Sequence, residues 1–371
     1  MKKVIFGTAL ASMALLSACS SDNELANVGT TANNAIGFHV VGNKAETRAT
    51  PITPENLTTT DFNVYAYINN ADGNDGEPFM GGNDTEHGYN GININHKGSD
   101  WAYTNEADRR YWPTTALNFY AVNPATTGMF TWQFSNTKKE IDYTCSDEYK
   151  HTEYTNYDVM YAVAKNQKYS DKNGGKVKFQ FKHILSQVAF KAKTQYANME
   201  VEIKELSIHN FFFGGTFTIP EGEPSQKDWA PKQVLYQKSG FTAVMDESIK
   251  VAKTDEVTNI STKGPMLFIP QQLTEWDLKG NIDAANTAKQ SYLKITCKIK
   301  QSGAYLFGDD TKFGELYVPF GADWQPGKRY IYTLIFGGGY NAQGQSILQP
   351  INFDAEVGEW GNEDATINVN K

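Results

Sequence analysis

The stretch "KVKFQF", residues 176–181, decides the fold class of this chain, because its apolar and polar residues alternate without a break. A period of two is typical of a β-strand that buries one face. Three residues would face inward: Val177, Phe179 and Phe181. The next stretch, "LSQVAFKAK" at 185–193, repeats the alternation and predicts a second strand.

Short alternating patterns of the same kind recur along the whole chain, with turn-rich segments between them. Many short strands separated by turns favour a β-sandwich class over an α/β class. A helical period is nowhere convincing, although short helices would fit near 101–112 or 271–290. We therefore predict an all-β protein with two sandwiches of similar size, at 36–181 and 182–371. The further strand patterns are "IGFHV" (36–40), "DFNVYAYI" (61–68), "ALNFYAVNP" (116–124), "DVMYAVA" (158–164), "MEVEIKELSIHN" (199–210), "SYLKITCKIK" (291–300), "RYIYTLIF" (329–336) and "INFDAEVGEW" (351–360).

Two of these patterns predict local detail. In "DFNVYAYI", every second residue from Phe62 to Ile68 is apolar, so this face of the strand is predicted to be buried. In "MEVEIKELSIHN", the apolar phase shifts by one residue at Leu206. Because the side-chain period of a strand is two, a one-residue shift predicts a bulge.

The N-terminus has the pattern of an export signal. Two lysines precede an apolar segment from Val4 to Leu16, which is too short to span a membrane as a mature helix. The next residues end in Cys19 and resemble a lipobox, in which the cysteine becomes the acylated first residue. Several acyl chains would hold the protein on a membrane. We predict a signal peptide at 1–18 and a flexible tether at 19–35; an ordinary signal peptide is the alternative.

Composition argues against several function classes. The formal net charge is −8, and loss of Lys2 and Lys3 with the signal makes it −10, which disfavours nucleic acid as a partner. Cys145 and Cys297 remain after lipidation and could pair in an oxidising compartment. Because Cys297 lies in an apolar strand pattern, we interpret it as a core residue rather than a reactive one.

Motifs for metal binding or catalysis are missing from the sequence. None of the six histidines stands in a zinc-binding arrangement, and there is no GxSxG elbow. His183 and His209 lie in strand patterns and are interpreted as hydrogen-bonded structural residues. We interpret "DGNDGE" (72–77) as a solvated turn, since its spacing does not fit an EF-hand, and "GGGYNA" (337–342) as a flexible hairpin loop. The sequence predicts no cofactor, no metal and no enzyme activity.

A series of short motifs, in order, resembles the fimbrillin (Mfa-like) family of Bacteroides-type bacteria. The motifs are "YWP" (111–113), "FYAVNP" (119–124), "DVMYA" (158–162), "FKHILSQVAFKA" (181–192), "GPMLFIPQ" (264–271), "WQPGKRYIYTL" (324–334) and "INFDAEVGEW" (351–360). The acidic stretch after Cys19 likewise resembles a lipoprotein surface-export signal of these bacteria. The resemblance implies two transthyretin-like β-sandwich domains in tandem and a structural subunit of type V pili that supports adhesion. It also implies an outer-membrane lipoprotein that moves into the fimbria, with other fimbrillin subunits and an arginine-specific protease as partners.

The family's maturation by arginine-specific proteases implies cleavage between Arg48 and Ala49. Arg48 lies between the first strand pattern and a loop with two prolines, where exposure favours nicking. Cleavage would free the segment 36–48, with Ile36, Phe38 and Val40 as its apolar side chains. An ordinary solvated arginine is the alternative.

A strand that leaves must be replaced, because an open sheet edge recruits another strand. The best donor in the sequence is the C-terminal segment of a neighbouring subunit, although these residues could equally stay in their own sandwich. The candidate donor residues are Ile351, Phe353, Ala355, Val357, Ile367 and Val369.

Two other functions stay open. A surface lipoprotein could bind host or dietary glycans through aromatic residues in "GYNGIN" (88–93) or "SDWAYTNEADRRYW" (99–112) without polymerising. An uncharacterised hydrolase is the third reading, because distant residues can converge in space.

Overall fold

The computed structural model is built almost entirely from β-strands, as the sequence predicts. It describes residues 34–41, 60–81, 91–125, 130–134, 137–145, 158–233, 236–237, 241–244, 248–262, 264–348, 351–359 and 367–368. Cys19, Arg48, Ala49 and Val369 lie outside these residues.

Eleven strands precede residue 184 in the described part of the chain, and most are short. They are β1 Gly37–Val41, β2 Phe62–Asn69, β3 Asp75–Met80, β4 Ile92–Lys97, β5 Asp100–Tyr103, β6 Leu117–Asn123, β7 Phe130–Phe134, β8 Lys139–Thr144, β9 Met160–Gln167, β10 Lys176–Gln180 and β11 Lys182–His183.

The strands after residue 184 include the two longest, β13 and β23. They are β12 Ser186–Thr194, β13 Met199–His209, β14 Phe211–Phe212, β15 Gly214–Thr218, β16 Trp229–Pro231, β17 Tyr236–Gln237, β18 Phe241–Val244, β19 Ile249–Val251, β20 Thr258–Asn259, β21 Met266–Phe268, β22 Gln272–Leu273, β23 Tyr292–Gln301, β24 Ala304–Phe307, β25 Gly314–Pro319, β26 Ala322–Asp323, β27 Lys328–Phe336, β28 Gly338–Tyr340, β29 Ser346–Leu348, β30 Asn352–Glu359 and β31 Ile367–Asn368.

Short helical segments fall where the sequence allows them. The α-helix α1, Ile282–Ala288, starts at Asn281, whose side-chain oxygen accepts a hydrogen bond from the backbone N–H of Ala284 at 3.1 Å. Such a cap satisfies one of the N–H groups that a helix start leaves without a partner. A 3-10 turn covers Glu106–Asp108, and two others cover Asp171–Asn173 and Gln226–Asp228. The first two elements confirm the ranges predicted for short helices.

Nine strands of the first half form one sheet that wraps around its own core. Its order is β10-β1-β5-β4-β2-β6-β9-β11, with β3 paired to β2. The two end strands, β10 and β11, are separated by Phe181 alone, so one continuous segment joins the two ends of the sheet. The apolar core inside includes Phe38, Phe62, Phe119 and Phe179.

The second half contains two sheets that face each other across the main core. One has the order β20-β12-β27-β30-β31, with β21 also on β12. The other has the order β18-β13-β23-β25-β28-β29, with β19 also paired to β13 and β24 also paired to β23. Val188 and Phe190 of the first sheet and Ile203 and Leu206 of the second belong to the same buried cluster.

A four-stranded sheet combines strands from both halves of the chain. Its order is β16-β15-β8-β7, and β8 pairs with β15 from Thr144 opposite Gly214 to Glu140 opposite Thr218. This bridging sheet covers the outer face of the wrapped sheet. The division into two sequential domains near residue 182 therefore stays a prediction, since one sheet contains strands from both sides of it.

Strand β2 shows where the alternation pattern is informative and where it is incomplete. Phe62, Val64 and Ala66 are buried in the core of the wrapped sheet, as predicted. The opposite face, with Tyr65 and Tyr67, is equally buried and belongs to the main core. The bridging sheet supplies that cover, and its strands lie far away in sequence.

Two further local predictions can be compared with the structure. The bulge in β13 is confirmed, because the pairing register with β23 shifts between Ile203 and Glu205. The interpretation of "GGGYNA" as a flexible hairpin loop was wrong for its first part, since β28 pairs with β29 and with β25. A Cβ on Gly339 would lie 3.3 Å from the Leu316 side chain, so the glycine lets β28 approach β25 closely.

Both histidines that were interpreted as structural lie close to a polar side chain. Nδ1 of His183 lies 2.8 Å from Oδ2 of the buried Asp158. Nε2 of His209 lies 3.1 Å from the hydroxyl of Ser207, and its ring stacks on Tyr292 with centroids 4.7 Å apart. The ring of His209 thus links β13 to β23 through Tyr292.

Candidate assembly site

Strand β1 is an interior strand of the wrapped sheet rather than an edge strand. It runs parallel to β10, from Gly37 opposite Lys176 to Val41 opposite Gln180. On its other side it pairs antiparallel with β5, where Phe38 lies opposite Trp101. A short N-terminal segment thus separates two strands that come from later parts of the chain.

The side chains of β1 that were predicted to be apolar anchors lie in the core. Ile36 and Phe38 are 1% and 2% exposed, and Val40 is half-buried against the same cluster. The Phe38 ring stacks on Phe179 with centroids 5.9 Å apart, and it meets Tyr103 edge-on at 5.7 Å. Burial of such a side chain stabilises a protein by about 1.5–3 kcal/mol. The intervening His39 is exposed.

The residues just before β1 are held by a second backbone contact. The N–H of Ile36 donates to the carbonyl of Arg110 at 2.9 Å, and the N–H of Trp112 donates to the carbonyl of Asn34 at 2.9 Å. The hydroxyl of Tyr103 donates to the carbonyl of Ile36 at 3.0 Å. The two backbone contacts form an antiparallel bridge between Ala35 and Tyr111.

Departure of the segment 34–41 would open the wrapped sheet between β10 and β5. It would leave a groove lined by Phe62, Tyr103 and Phe179, and two rows of backbone groups without partners. Buried N–H and C=O groups need hydrogen-bond partners, so such a groove favours entry of another extended strand.

The C-terminal strands are paired within their own sheet. Strand β30 runs antiparallel to β27, from Asn352 opposite Ile335 to Glu359 opposite Lys328. Strand β31 pairs in turn with β30, with Ile367 opposite Val357. Ile351 is buried, and Ala355 and Val357 pack against the main core. The pairings given for β30 and β31 are thus to the second half, and neither includes β1.

A buried ion pair, which the sequence analysis missed, fastens the wrapped sheet to the bridging sheet. The interpretation of "DGNDGE" as a solvated turn holds for Asp72 but was wrong for Asp75, which starts β3. Oδ2 of Asp75 lies 2.6 Å from Nζ of Lys139, and each side chain is at most 10% exposed. The same oxygen accepts a hydrogen bond from the hydroxyl of Tyr120 at 2.7 Å.

The surroundings of this pair are aromatic and largely shielded from solvent. Nζ of Lys139 lies 4.5 Å from the ring centroid of Tyr67 and 4.9 Å from that of Tyr120. Burial lowers the pKa of Lys139, while Asp75 favours its charged form. Burial, followed by the hydrogen bond to the Asp75 carboxylate, raises the pKa of Tyr120. A turn pattern in sequence could not reveal this pair, because the partner lysine lies 64 positions away.

The two cysteines that remain after the lipobox are buried thiols. Within the described residues, Cys145 and Cys297 form no disulfide. The thiol of Cys145 donates to the carbonyl of Leu267 at 3.4 Å. Cys297 lies in the main core, which confirms its interpretation as a core residue, and burial raises the pKa of its thiol.

Two features are absent from the part of the chain that the structure describes. No group of three or more histidine, cysteine, aspartate or glutamate side chains is arranged to hold a metal ion there. In the same ranges, no helix combines the length and the apolar character needed to cross a membrane.

Comparisons with known proteins identify the same family that the motifs resemble. A sequence model of the fimbrillin-like family matches residues 47–360. None of the curated proteins matches the chain by sequence.

Among solved structures, the fold is similar to that of a fimbrial protein from Bacteroides vulgatus, with a TM-score of 0.57 and 16% identity, over 88% of this chain and 100% of that one. A predicted cell adhesion protein from Bacteroides ovatus has a TM-score of 0.45 and 16% identity, over 89% and 98%. The fimbrial anchor protein Mfa2 from Porphyromonas gingivalis has a TM-score of 0.34 and 8% identity, over 88% and 98%.

Proposed function

Because this chain belongs to the fimbrillin-like family, we propose that it is a structural, non-enzymatic subunit of a cell-surface fimbria of the type V class that supports adhesion. The likeness to a Bacteroides vulgatus fimbrial protein supports the fold that this role requires. The proposal includes two transthyretin-like sandwiches in tandem, and polymerisation with copies of itself or with other fimbrillin subunits.

Export as a lipoprotein is the first step of the proposal. Cys19, acylated after removal of residues 1–18, would hold the precursor at the outer membrane, facing outward. Several acyl chains are needed for firm anchoring. Replacing Cys19 by alanine should abolish lipid labelling and cause the precursor to accumulate; labelling that persists would contradict the anchor.

Maturation by an arginine-specific protease is the second step. Cleavage between Arg48 and Ala49 would cut the covalent link between the N-terminal segment and the rest of the chain. Strand β1, which precedes the cut, could then leave together with the anchor.

The observation that supports this proposal best is the interior position of β1. Strand β1 supplies both the backbone hydrogen bonds to β10 and the buried Phe38 ring. Only another strand with a similar alternation of apolar and polar residues can replace it. Head-to-tail insertion between subunits does not close on itself, so it produces a filament. The C-terminal strands β30 and β31 are the proposed donors, and they would have to leave β27 first.

N-terminal sequencing of the protein in sheared surface material tests the proposal. We expect a polymer ladder whose subunits begin at Ala49. Subunits that retain residues 45–49 in assembled fibres would overturn maturation at Arg48. A glycan-binding monomer that never forms ladders would overturn the polymer itself.

Disulfide trapping identifies the donor. In the uncleaved protein, a cysteine at exposed His39 marks β1 in its groove. In the assembled protein, a cysteine at Asp354 marks the proposed donor strand β30. A cysteine at Lys178, opposite His39 in β10, should crosslink to the donor only after assembly. If truncation after Glu359 leaves the series of oligomers unchanged, β31 is not required as a donor, and β30 remains the candidate donor strand.

A further inference from the structure

Arginine is rare in this chain, and its positions differ in how accessible they are to a protease. Among the 34 basic residues there are four arginines, at positions 48, 109, 110 and 329. An arginine-specific protease therefore has few bonds to attack. Arg329 lies within β27, which is paired on both sides, by β12 and by β30. Arg109 and Arg110 lie in the connection after the 3-10 turn Glu106–Asp108, where a protease could reach them more easily.

The side chains on either side of Arg110 are open to solvent, whereas Arg110 itself is half-buried and its Nη1 donates to the carbonyls of Asp108 and Arg109 at 3.0 and 3.3 Å. The Arg109 side chain is 44% exposed and pairs with Glu106, and Tyr111 is 46% exposed. Exposed connections of this kind are the usual sites of proteolytic nicking. A protease can therefore approach this connection, and the local contacts of the Arg110 guanidinium must open before its side chain is bound.

The backbone of the same bond is covered by the N-terminal segment. A protease must take up the carbonyl of the residue before the cut bond into its oxyanion hole and must bind the flanking backbone in an extended form. Here that carbonyl, on Arg110, accepts the hydrogen bond from Ile36. The N–H of Trp112 is likewise engaged, by Asn34.

We propose that the Arg110–Tyr111 bond is a second, conditional cleavage site for an arginine-specific protease, covered by the segment Asn34–Ile36 and opened when that segment leaves its groove. The inference rests on the proposed maturation, because departure of the segment is part of it. In the reaction, water adds to the carbonyl carbon of Arg110 and the bond to the Tyr111 nitrogen breaks. Arg110 ends as a carboxylate and Tyr111 as a new N-terminal amine.

With such a site, the protease whose first cut empties the groove also cuts subunits whose groove stays empty. A subunit that receives a donor strand has its backbone at Arg110–Trp112 covered again and is not cut after Arg110. A subunit that fails to receive one is cut between β5 and β6, which are both strands of the wrapped sheet. The protease would then remove subunits that cannot assemble.

The test uses the whole secreted chain with Cys19→Ser, so that it can be handled without lipid, and an arginine-specific cysteine protease. In the Arg48→Lys background, the N-terminal segment stays tethered, and we expect no fragment that begins at Tyr111. Adding Phe38→Asp expels the strand and should speed that cut by at least ~10-fold, since cleavage follows the open population. The matched control is His39→Asp, on the exposed face of the same strand, which should stay uncut.

Two measurements keep the outcome decisive. Cleavage after Arg329 in the Phe38→Asp variant would report global unfolding, and in that event a second arm decides. There the chain with Arg48 intact is digested with and without excess synthetic peptide of residues 34–48, and the peptide should suppress the Tyr111 fragment by at least ~10-fold. The inference is overturned if the tethered Arg48→Lys chain is cut after Arg110 as fast as the Phe38→Asp variant, or if the peptide gives no protection. Failure to cut after Arg48 would instead contradict the proposed maturation and leave the Arg48→Lys comparison intact.

Discussion

Cys297 and Cys145 show how burial controls the chemistry of single residues. Both thiols lie inside the main core, and the thiolate, which is the reactive form, is disfavoured there. The raised pKa of Cys297 has a consequence for stability as well. The unfolded thiol ionises near its ordinary pKa and the folded one does not, so this contribution to stability is lost as the pH rises above the unfolded value.

We predict that neither cysteine reacts with a thiol-alkylating reagent in the folded chain with Cys19→Ser, even at pH 9. Both should react at once in denaturant. Mass spectrometry of the labelled peptides measures each site separately. Rapid native labelling of Cys297 would show that the core around it opens far more often than its burial implies.

Phe38 is the residue on which retention of β1 depends most. Replacing it by alanine removes a ring that contacts Phe62, Tyr103 and Phe179, and such truncations cost about 3–5 kcal/mol. His39→Ala, on the exposed face of the same strand, should stay within about 0.5 kcal/mol of the parent. Urea unfolding of the uncleaved chain measures both. Equal effects would mean that backbone pairing alone holds the strand.

At the scale of elements, the alternation of "KVKFQF" was sufficient to predict β10 and its buried face. The same logic identified β2 and its inward residues, but it did not address the opposite face, where Tyr65 and Tyr67 are also buried. Periodicity reports which residues share a face and does not report what covers that face. The interior position of β1 was likewise beyond the sequence, because its neighbour β10 lies well over a hundred residues further along the chain.

The Asp75–Lys139 pair is the element-scale contact between β3 of the wrapped sheet and β8 of the bridging sheet. Loss of one partner leaves a buried charge without compensation, which typically costs about 3–5 kcal/mol. We therefore expect both Asp75→Asn and Lys139→Met to be strongly destabilising. The double variant should be more stable than the sum of the single effects predicts, as measured by a double-mutant cycle in urea. Simple additivity would mean that the two groups act independently.

At the scale of the whole molecule, the two halves are joined by a shared sheet and a shared core. The outer face of the wrapped sheet packs against residues from the second half: the ring centroids of Tyr161 and Phe217 lie 5.4 Å apart. Trp229, beside Phe217, donates its indole N–H to the carbonyl of Ile184 at 3.1 Å. The motifs could indicate the family and the β-class, but not this joint, because β8 and β15 meet only in the folded chain.

The joint predicts that the first half does not fold alone as it does in the full protein. A fragment that ends at His183 keeps the wrapped sheet but loses β15 and β16, so the face with Tyr67, Tyr120 and Tyr161 meets water. Exposure of a large apolar face favours partly folded or associated states. We expect the fragment to bind a hydrophobic dye and to unfold over a broad range of urea concentrations, whereas the full chain unfolds cooperatively. Phe217→Ala in the full chain is the matched control: it should cost about 3–5 kcal/mol without dye binding, since β15 still covers the face. A fragment that unfolds as sharply as the full chain, with no dye binding, would mean that the first half is an independent domain and that the shared sheet is dispensable.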